Sequence, residues 1–302
     1  MDKVFARCSR REALAMLAAA PFSRPRFAVT MDDVDWAAIP EPYRKHANRR
    51  ILQTLKKKAA LFVVGKNVDS ETGRAIVESW SERGHLISNH TWSHRVFNSA
   101  IEPGEFAQDM LRCDRFVRTF PGFQPFFRFP ALKEGGTRER RDWMRAFLRD
   151  HGYRNGAVTI DASDWYYDQR LRAHLKEDRH FDVNRFRKPY LDHILDRAQY
   201  YDDLARKALG ATTPHTLLIH FNLLNALFLG DLLKTFERIG WEAIDADAAY
   251  GGRVFERQPD TVPAGESLIW ALAKETGRFD NELRYPGEDD AYEEPILKRL
   301  GL

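Results

Sequence analysis

Phe27-Ala28-Val29-Thr30-Met31-Asp32-Asp33 joins a short, mainly apolar run to two adjacent carboxylates. A run of this length and composition suits a buried strand. The acid pair then stands where the strand ends, which is where α/β proteins place their chemistry. Further along, His90-Thr91-Trp92-Ser93-His94 spaces two histidines at i and i+4. On a helical face that spacing brings both imidazoles close enough to share one cation. An aspartate from the first stretch completes a set of two histidines and one carboxylate, leaving positions open for water and substrate. A structural metal site would be closed, so the count points to a catalytic cation and a metal-dependent hydrolase. Taken alone, an HxxxH is as readily a solvated helix face; its pairing with a strand-end acid pair argues against that.

Strand and helix signals alternate outward from these two stretches. Strands are expected at 27–31, at Ala60-Leu61-Phe62-Val63-Val64-Gly65, around Ile87-Ser88-Asn89, across Pro125–Pro130, at Gly156–Asp161, at Thr216–His220 and at Trp241–Ile244. Helices are expected at Tyr43–Lys58, Ser70–Arg83 (stopped by Gly84), Pro103–Phe120, Arg138–Gly152 and Leu223–Ile239, with 166–209 charged and mostly helical. This βα alternation predicts an α/β fold with a parallel sheet, open or closed into a barrel. Residues 251–302, rich in Pro, Gly and acids, predict a wrapping tail with one helix near Ser267–Lys274.

The 302 residues are 43% hydrophobic and 12% aromatic, enough for one large core, and the net charge of +3 gives no basic stripe for nucleic acid. Cys8 and Cys113 are the two cysteines, which excludes a disulfide framework and a competing CxxC metal site. Within residues 1–25, Ser9-Arg10-Arg11-Glu12-Ala13-Leu14 precedes a short apolar run ending in Ala18-Ala19-Ala20. That pattern predicts a twin-arginine-type export signal and a periplasmic or secreted protein; the alternatives are a disordered N-terminus or an ordinary capping helix on a cytoplasmic enzyme. No other segment approaches the roughly 18 apolar residues of a membrane span, so no membrane helix is expected in the mature chain.

Several predicted strands end on polar groups: Asp32/Asp33, Asn89/His90, Arg128, Asp161/Asp164 and His220. Such a series in chain order is the layout of a site at one face of an α/β barrel. Here the chain resembles the polysaccharide deacetylases of the NodB type, carbohydrate esterase family 4. The first motif, T-F-D-D, stands as Thr30-Met31-Asp32-Asp33, and the second, H-[S/T]-x-x-H, as His90–His94. Arg128-Phe129-Pro130 matches R-x-P, Asp161-Ala162-Ser163-Asp164-Trp165 matches an aspartate before D-W, and Leu217-Leu218-Ile219-His220 matches L-x-x-H. The chain departs at Met31, Val34, Ala131-Leu132 and Phe221-Asn222, and 166–216 exceeds the compact family core, which marks a divergent branch.

The resemblance implies a distorted (β/α) barrel of about seven parallel strands, with a catalytic domain at 26–250 that includes 166–216 as a helical insertion. It implies that Asp33, His90 and His94 bind one divalent metal, zinc first, with cobalt, nickel or manganese as alternatives. Asp32 would be the general base and His220 the acid toward the departing group, with Asp161 ahead of Asp164 as the carboxylate that raises its pKa. Arg128 would orient Asp32, and Trp165, Asp164, Trp92 and Pro130 would face substrate. The implied activity is removal of acetyl or similar acyl groups from an N- or O-acylated carbohydrate. A non-polymeric amide, formamide or cyclic imide is the alternative substrate, and a non-catalytic glycan-binding barrel the alternative class. Read singly, Arg128 could be a surface charge, Asp161 a helix N-cap, His220 a core histidine and the tryptophans packing.

Overall fold

The computed structural model describes residues 24–284 and 290–302. The expectation of an export signal at 1–25 falls almost wholly outside the described residues. Strands and helices alternate as β1 (Arg26–Asp33), α1 (Arg44–Thr54), β2 (Ala60–Val63), α2 (Glu71–Glu82), β3 (Leu86–Asn89), α3 (Pro103–Val117), β4 (Phe123–Phe127), α4 (Arg138–Asp150) and β5 (Arg154–Asn155). They continue as α5 (Asp164–Glu177), α6 (Arg187–Leu209), β6 (Pro214–His220), α7 (Leu223–Arg238), β7 (Glu242–Ala243), α8 (Ala246–Tyr250), α9 (Leu268–Glu275) and α10 (Asp290–Arg299).

The sheet runs β5-β4-β3-β2-β1-β6, with β7 paired to the start of β1, and every pairing between these strands is parallel. It curls into the distorted (β/α) barrel of the NodB type. The curl is completed by the segment expected as one strand over 156–161. Gly156 N–H donates to Phe127 O beside β4, whereas Ile160 pairs with Leu217 of β6. Crossing from one neighbour to the other, 156–161 forms no regular strand, contrary to expectation; the short ladder of β5 lies just ahead of it, at Arg154–Asn155.

Parallel strands buried on both faces read as continuous apolar runs, and β1 and β2 do so. Ala60, Leu61, Phe62 and Val63 are wholly buried, as is Met31. The helices begin and end where local chemistry dictates. Ser70 Oγ accepts from Gly73 N at 3.0 Å to cap α2, whose buried Ile76, Val77 and Trp80 face the sheet. Its chain reverses at Gly84, whose φ of 78° is the left-handed turn that glycine adopts without strain.

Around 166–216, α5 starts at Asp164, inside the fourth motif, and β6 begins at Pro214. Two expectations are corrected. The chain after β3 is irregular, so His90 and His94 do not share a helix face. The tail holds α10 as well as the helix expected near Ser267; the acid-rich composition and Pro295 conceal α10 in the sequence.

The register decides what meets what. Asp32 lies opposite His220, Asp33 opposite Val63, and Val63 opposite Asn89. Asn89 in turn lies opposite Phe127, so Asp32, Asp33, His90, Arg128 and His220 gather at the carboxyl edge of one sheet.

Candidate active site

Asp33 is the last residue of β1, and with Val34 it takes positive φ values of 77° and 54°. That region is unfavourable for a β-branched valine, so the turn is held by its surroundings. Thr91 and His94 are likewise left-handed, at 66° and 58°. Thr91 Oγ1 accepts from His94 N at 3.0 Å, and Asn89 Oδ1 accepts from Thr91 N at 2.8 Å. A tight loop therefore brings together the two imidazoles that a helix was expected to align. Their ring centroids are 4.9 Å apart at 65°.

Asp33 Oδ1 lies 3.2 Å from His94 Nε2 and 3.5 Å from His90 Nε2, and one ligand atom from each residue falls within 4.8 Å of the others. Arg128 O lies 2.8 Å from His90 Nδ1, so the ring donates there and turns the lone pair of Nε2 toward Asp33. Burial, reinforced by His94, pushes the His90 imidazole down to about 3, which keeps it neutral. Burial would raise Asp33, but His94, His220, His90 and Lys66 outweigh it and hold the carboxylate below its usual range. Asp33 Oδ1 is nevertheless buried with no hydrogen-bond partner. A buried anionic oxygen without a donor, facing two imidazole nitrogens, is the donor set that a divalent cation satisfies. The residues present fit the group.

Asp32 lies beside this trio, 2% exposed, with Oδ2 at 3.6 Å from His90 Nε2. Its Oδ1 accepts from Arg128 Nη1 at 2.5 Å. Arg128 is fully engaged: Nε donates to Gly156 O, Nη2 donates to Tyr250 Oη, both at 2.9 Å, and the guanidinium lies 3.8 Å over Phe62. It is therefore no surface charge. Burial raises Asp32 to about 6 against the opposing charges of Arg128 and His220, bringing a carboxylate into the range of a working base.

His220, at the end of β6, faces the acid pair from the other side. Asp164, rather than Asp161, holds it: Asp164 Oδ1 accepts from Nδ1 at 2.7 Å, and Oδ2 accepts from His220 N at 2.9 Å. Asn222 and Asn225 each donate a further bond of 2.8 Å to Asp164 Oδ2. Burial alone would lower His220; Asp164, with smaller contributions from Asp33 and Asp32, overrides it and lifts the imidazolium to about 10. Asp161 is buried three residues upstream. Its position in the motif made it the first choice in the sequence, but the first turn of α5 carries Asp164 to the ring instead.

A cleft of about 260 Å³ opens over Asp32, Asp33, His90, His94 and His220, walled by Phe129, Ala131, Leu132, Trp165 and Leu218. Trp165, 39% exposed, is the one expected substrate-facing aromatic that lines it. Trp92 is packed away, its ring against Gly65 and beneath Arg112 at 3.9 Å. Pro130 is buried, and the wall is made by the two residues after it, Ala131 and Leu132, at φ 50° and 57°. Tyr250 is the site residue the sequence reading missed, because α8 is too short to announce itself by periodicity.

Residues 19–156 match the family model for polysaccharide deacetylase. The match covers less than half of the chain, and over this region the chain is similar to the polysaccharide deacetylases. Chitin deacetylase 1 of Saccharomyces cerevisiae is 28% identical over 141 residues, 47% of this chain and 44% of that protein. A peptidoglycan-N-acetylglucosamine deacetylase of Bacillus cereus is 27% identical over 118 residues, 38% of each. The chain thus spans less than half the length of these curated relatives. Two solved structures share the fold seen here. A mutant of a peptidoglycan deacetylase from Bacillus subtilis superposes with a TM-score of 0.50 at 18% identity, over 76% of this chain and 91% of its own. A family 4 acetyl xylan esterase from Clostridium thermocellum, in complex with a cobalt ion, gives 0.50 at 17% identity, over 75% and 90%. The family match ends before Asp164 and His220; the register of β1 with β6 places His220, and the bonds from His220 place Asp164.

Proposed function

We propose that this chain is a metal-dependent hydrolase that removes acetyl or similar acyl groups from an N- or O-acylated carbohydrate. The observation that carries the reading is the arrangement around Asp33, His90 and His94: a buried base, Asp32, on one side and a carboxylate-bound imidazolium, His220, on the other. A protein that only bound glycan would need neither. A divalent cation held by Asp33, His90 and His94, zinc first, supplies acidification of a water and polarisation of the acyl carbonyl.

The chain's own groups do the rest. Asp32 takes the proton of the attacking water, its carboxylate fixed in direction by Arg128. As the new C–O bond forms, negative charge gathers on the carbonyl oxygen, where a backbone N–H at the cleft wall can meet it. When the bond to nitrogen or ester oxygen breaks, His220 gives its proton to the departing group, and Asp164 stabilises the imidazolium until then. Trp165 offers an apolar face on which a sugar ring can stack.

The twin-arginine-like start supports export and action on an extracellular glycan. Among the described residues no helix is long and apolar enough to cross a membrane. The test is acetate release from chitin oligosaccharides and peptidoglycan by full-length protein, stripped of metal and reloaded. Release that depends on the metal and disappears in Asp32→Asn supports the reading. No release with one metal bound per chain rejects it and turns the search to small formamides and imides.

A further inference from the structure

Asp164 is held from behind by a buried network outside the cleft. Ser163, which precedes α5, makes no side-chain cap on that helix, and its Oγ is buried without a hydrogen-bond partner. Its backbone N–H instead donates 2.8 Å to His193 Nε2, on α6. A backbone N–H can only donate, so Nε2 must carry the lone pair and the ring proton must sit on Nδ1. His193 Nδ1 lies 3.2 Å from Glu293 Oε2 on α10, the carboxylate that selects this tautomer. Tyr167 Oη donates to the same oxygen at 3.0 Å, its ring stacked on His193 at 4.9 Å, and Arg284 pairs with the other oxygen at 3.5 Å.

His193 and Glu293 are 6% and 1% exposed. Burying a carboxylate merely to dock a helix is a poor use of it, since an apolar residue would dock at less desolvation cost. Here the carboxylate also accepts from the His193 ring and so orients the imidazole that receives Ser163 N–H.

We propose that His193 and Glu293 are positioning residues for His220, acting through Ser163 and Asp164, so that the C-terminal helix supports the proton donor. The proposal rests on His220 serving as the acid in the reading above. The entry of α5 is anchored at Ser163, one residue before the carboxylate that grips His220 on both its ring and its backbone. Small displacements there open the 2.7 Å bond between Asp164 and His220. Apart from Trp165, the cleft wall of Phe129, Ala131, Leu132 and Leu218 lies on other elements and is left in place.

Three variants of the full-length, metal-loaded protein test this. His193→Leu removes the acceptor for Ser163 N–H, His193→Gln returns an acceptor near the place of Nε2, and Tyr167→Phe removes one bond to Glu293 while keeping the ring stacked on His193. His193→Leu is expected to lower kcat about tenfold, to leave KM within about twofold, and to move the alkaline limb of the kcat profile toward neutral pH. His193→Gln restores both, and Tyr167→Phe lowers the thermal midpoint while moving neither. The low-field NMR signal of the His220 Nδ1 proton should weaken in His193→Leu and return in His193→Gln. Folded His193→Leu with an unchanged kcat profile and His220 signal overturns the proposal. Should that variant not fold, Glu293→Leu leaves the imidazole but removes the carboxylate that orients it; an unchanged His220 signal there overturns the proposal equally. The NMR signal does not depend on turnover, so a wild-type protein that releases no acetate refutes the deacetylase reading while the network is still decided.

Discussion

Arg128 Nη1 lies 2.5 Å from Asp32 Oδ1, with both side chains buried, although ninety-six residues of chain separate them. The pair binds the end of β1 to the end of β4, across β2 and β3. It aims one oxygen of Asp32 at the guanidinium and leaves the other beside His90.

Asp32→Asn keeps the shape and the metal ligands but cannot accept a proton. Turnover should fall about 10²- to 10⁴-fold, the usual contribution of a positioned base. Metal analysis of the same sample should still find the ion; a variant with wild-type acetate release rules out Asp32 as the base.

His90→Ala or His94→Ala each removes one ligand from the set with Asp33, and metal affinity should drop by more than about 100-fold, beyond the loss seen for mere supporting groups. Titration of the metal-free chain with zinc reads this directly. Retention of metal after both replacements would show that the ligand set is wrong.

Tyr250→Phe deprives Arg128 Nη2 of its 2.9 Å partner while leaving the ring stacked on Phe126. A buried charged donor left without its acceptor costs about 1–3 kcal/mol, so chemical unfolding should show a loss of that order. Activity should fall a few-fold through a less constrained Asp32.

Gly156→Ala should be worse tolerated than its size suggests. An added Cβ would sit 2.4 Å from Phe62 Cε1, and Phe62 is the ring against which the Arg128 guanidinium lies. Forcing that ring aside costs on the order of 1–3 kcal/mol. Lower thermal stability together with lower kcat is expected; a variant that matches wild type in both would show that Phe62 moves freely.

The metal-free chain should lose stability in alkali. Burial lowers His220, yet Asp164 raises it from 6.5 to about 10 in the folded chain. A folded pKa above the unfolded one gives stability that is fully present below about pH 6.5 and is lost as pH rises through about 10, on the order of a few kcal/mol. Thermal midpoints measured from pH 6.5 to 10 should fall, and the slope should flatten in Asp164→Asn. Equal slopes would show that Asp164 does not stabilise the imidazolium.

The resemblance to the deacetylase family, the strand-end placement of the polar groups and most element positions were legible from short-range signals. Apolar runs, Ser70 as a cap and Gly84 as a stop each act within a turn of chain, so composition suffices to find them. The choice between Asp161 and Asp164 was not legible in that way. Both lie just past an apolar run, and only the starting point of α5 decides which carboxylate reaches His220. Trp92 and Trp165 are equally aromatic in the sequence, yet one is packed on Gly65 and the other lines the cleft.

The sequence alone determined the residue types of the chemistry and their order along the chain, because those choices are local and carry recognisable spacing. Tertiary structure alone decided the contacts: the left-handed loop that brings His90 and His94 together, the register that sets Asp32 opposite His220, and the closure that delivers Tyr250 and the C-terminal helix to the back of the site. Each depends on pairing between distant segments, whose partners are chosen by packing and burial over the whole barrel rather than by any neighbouring residue.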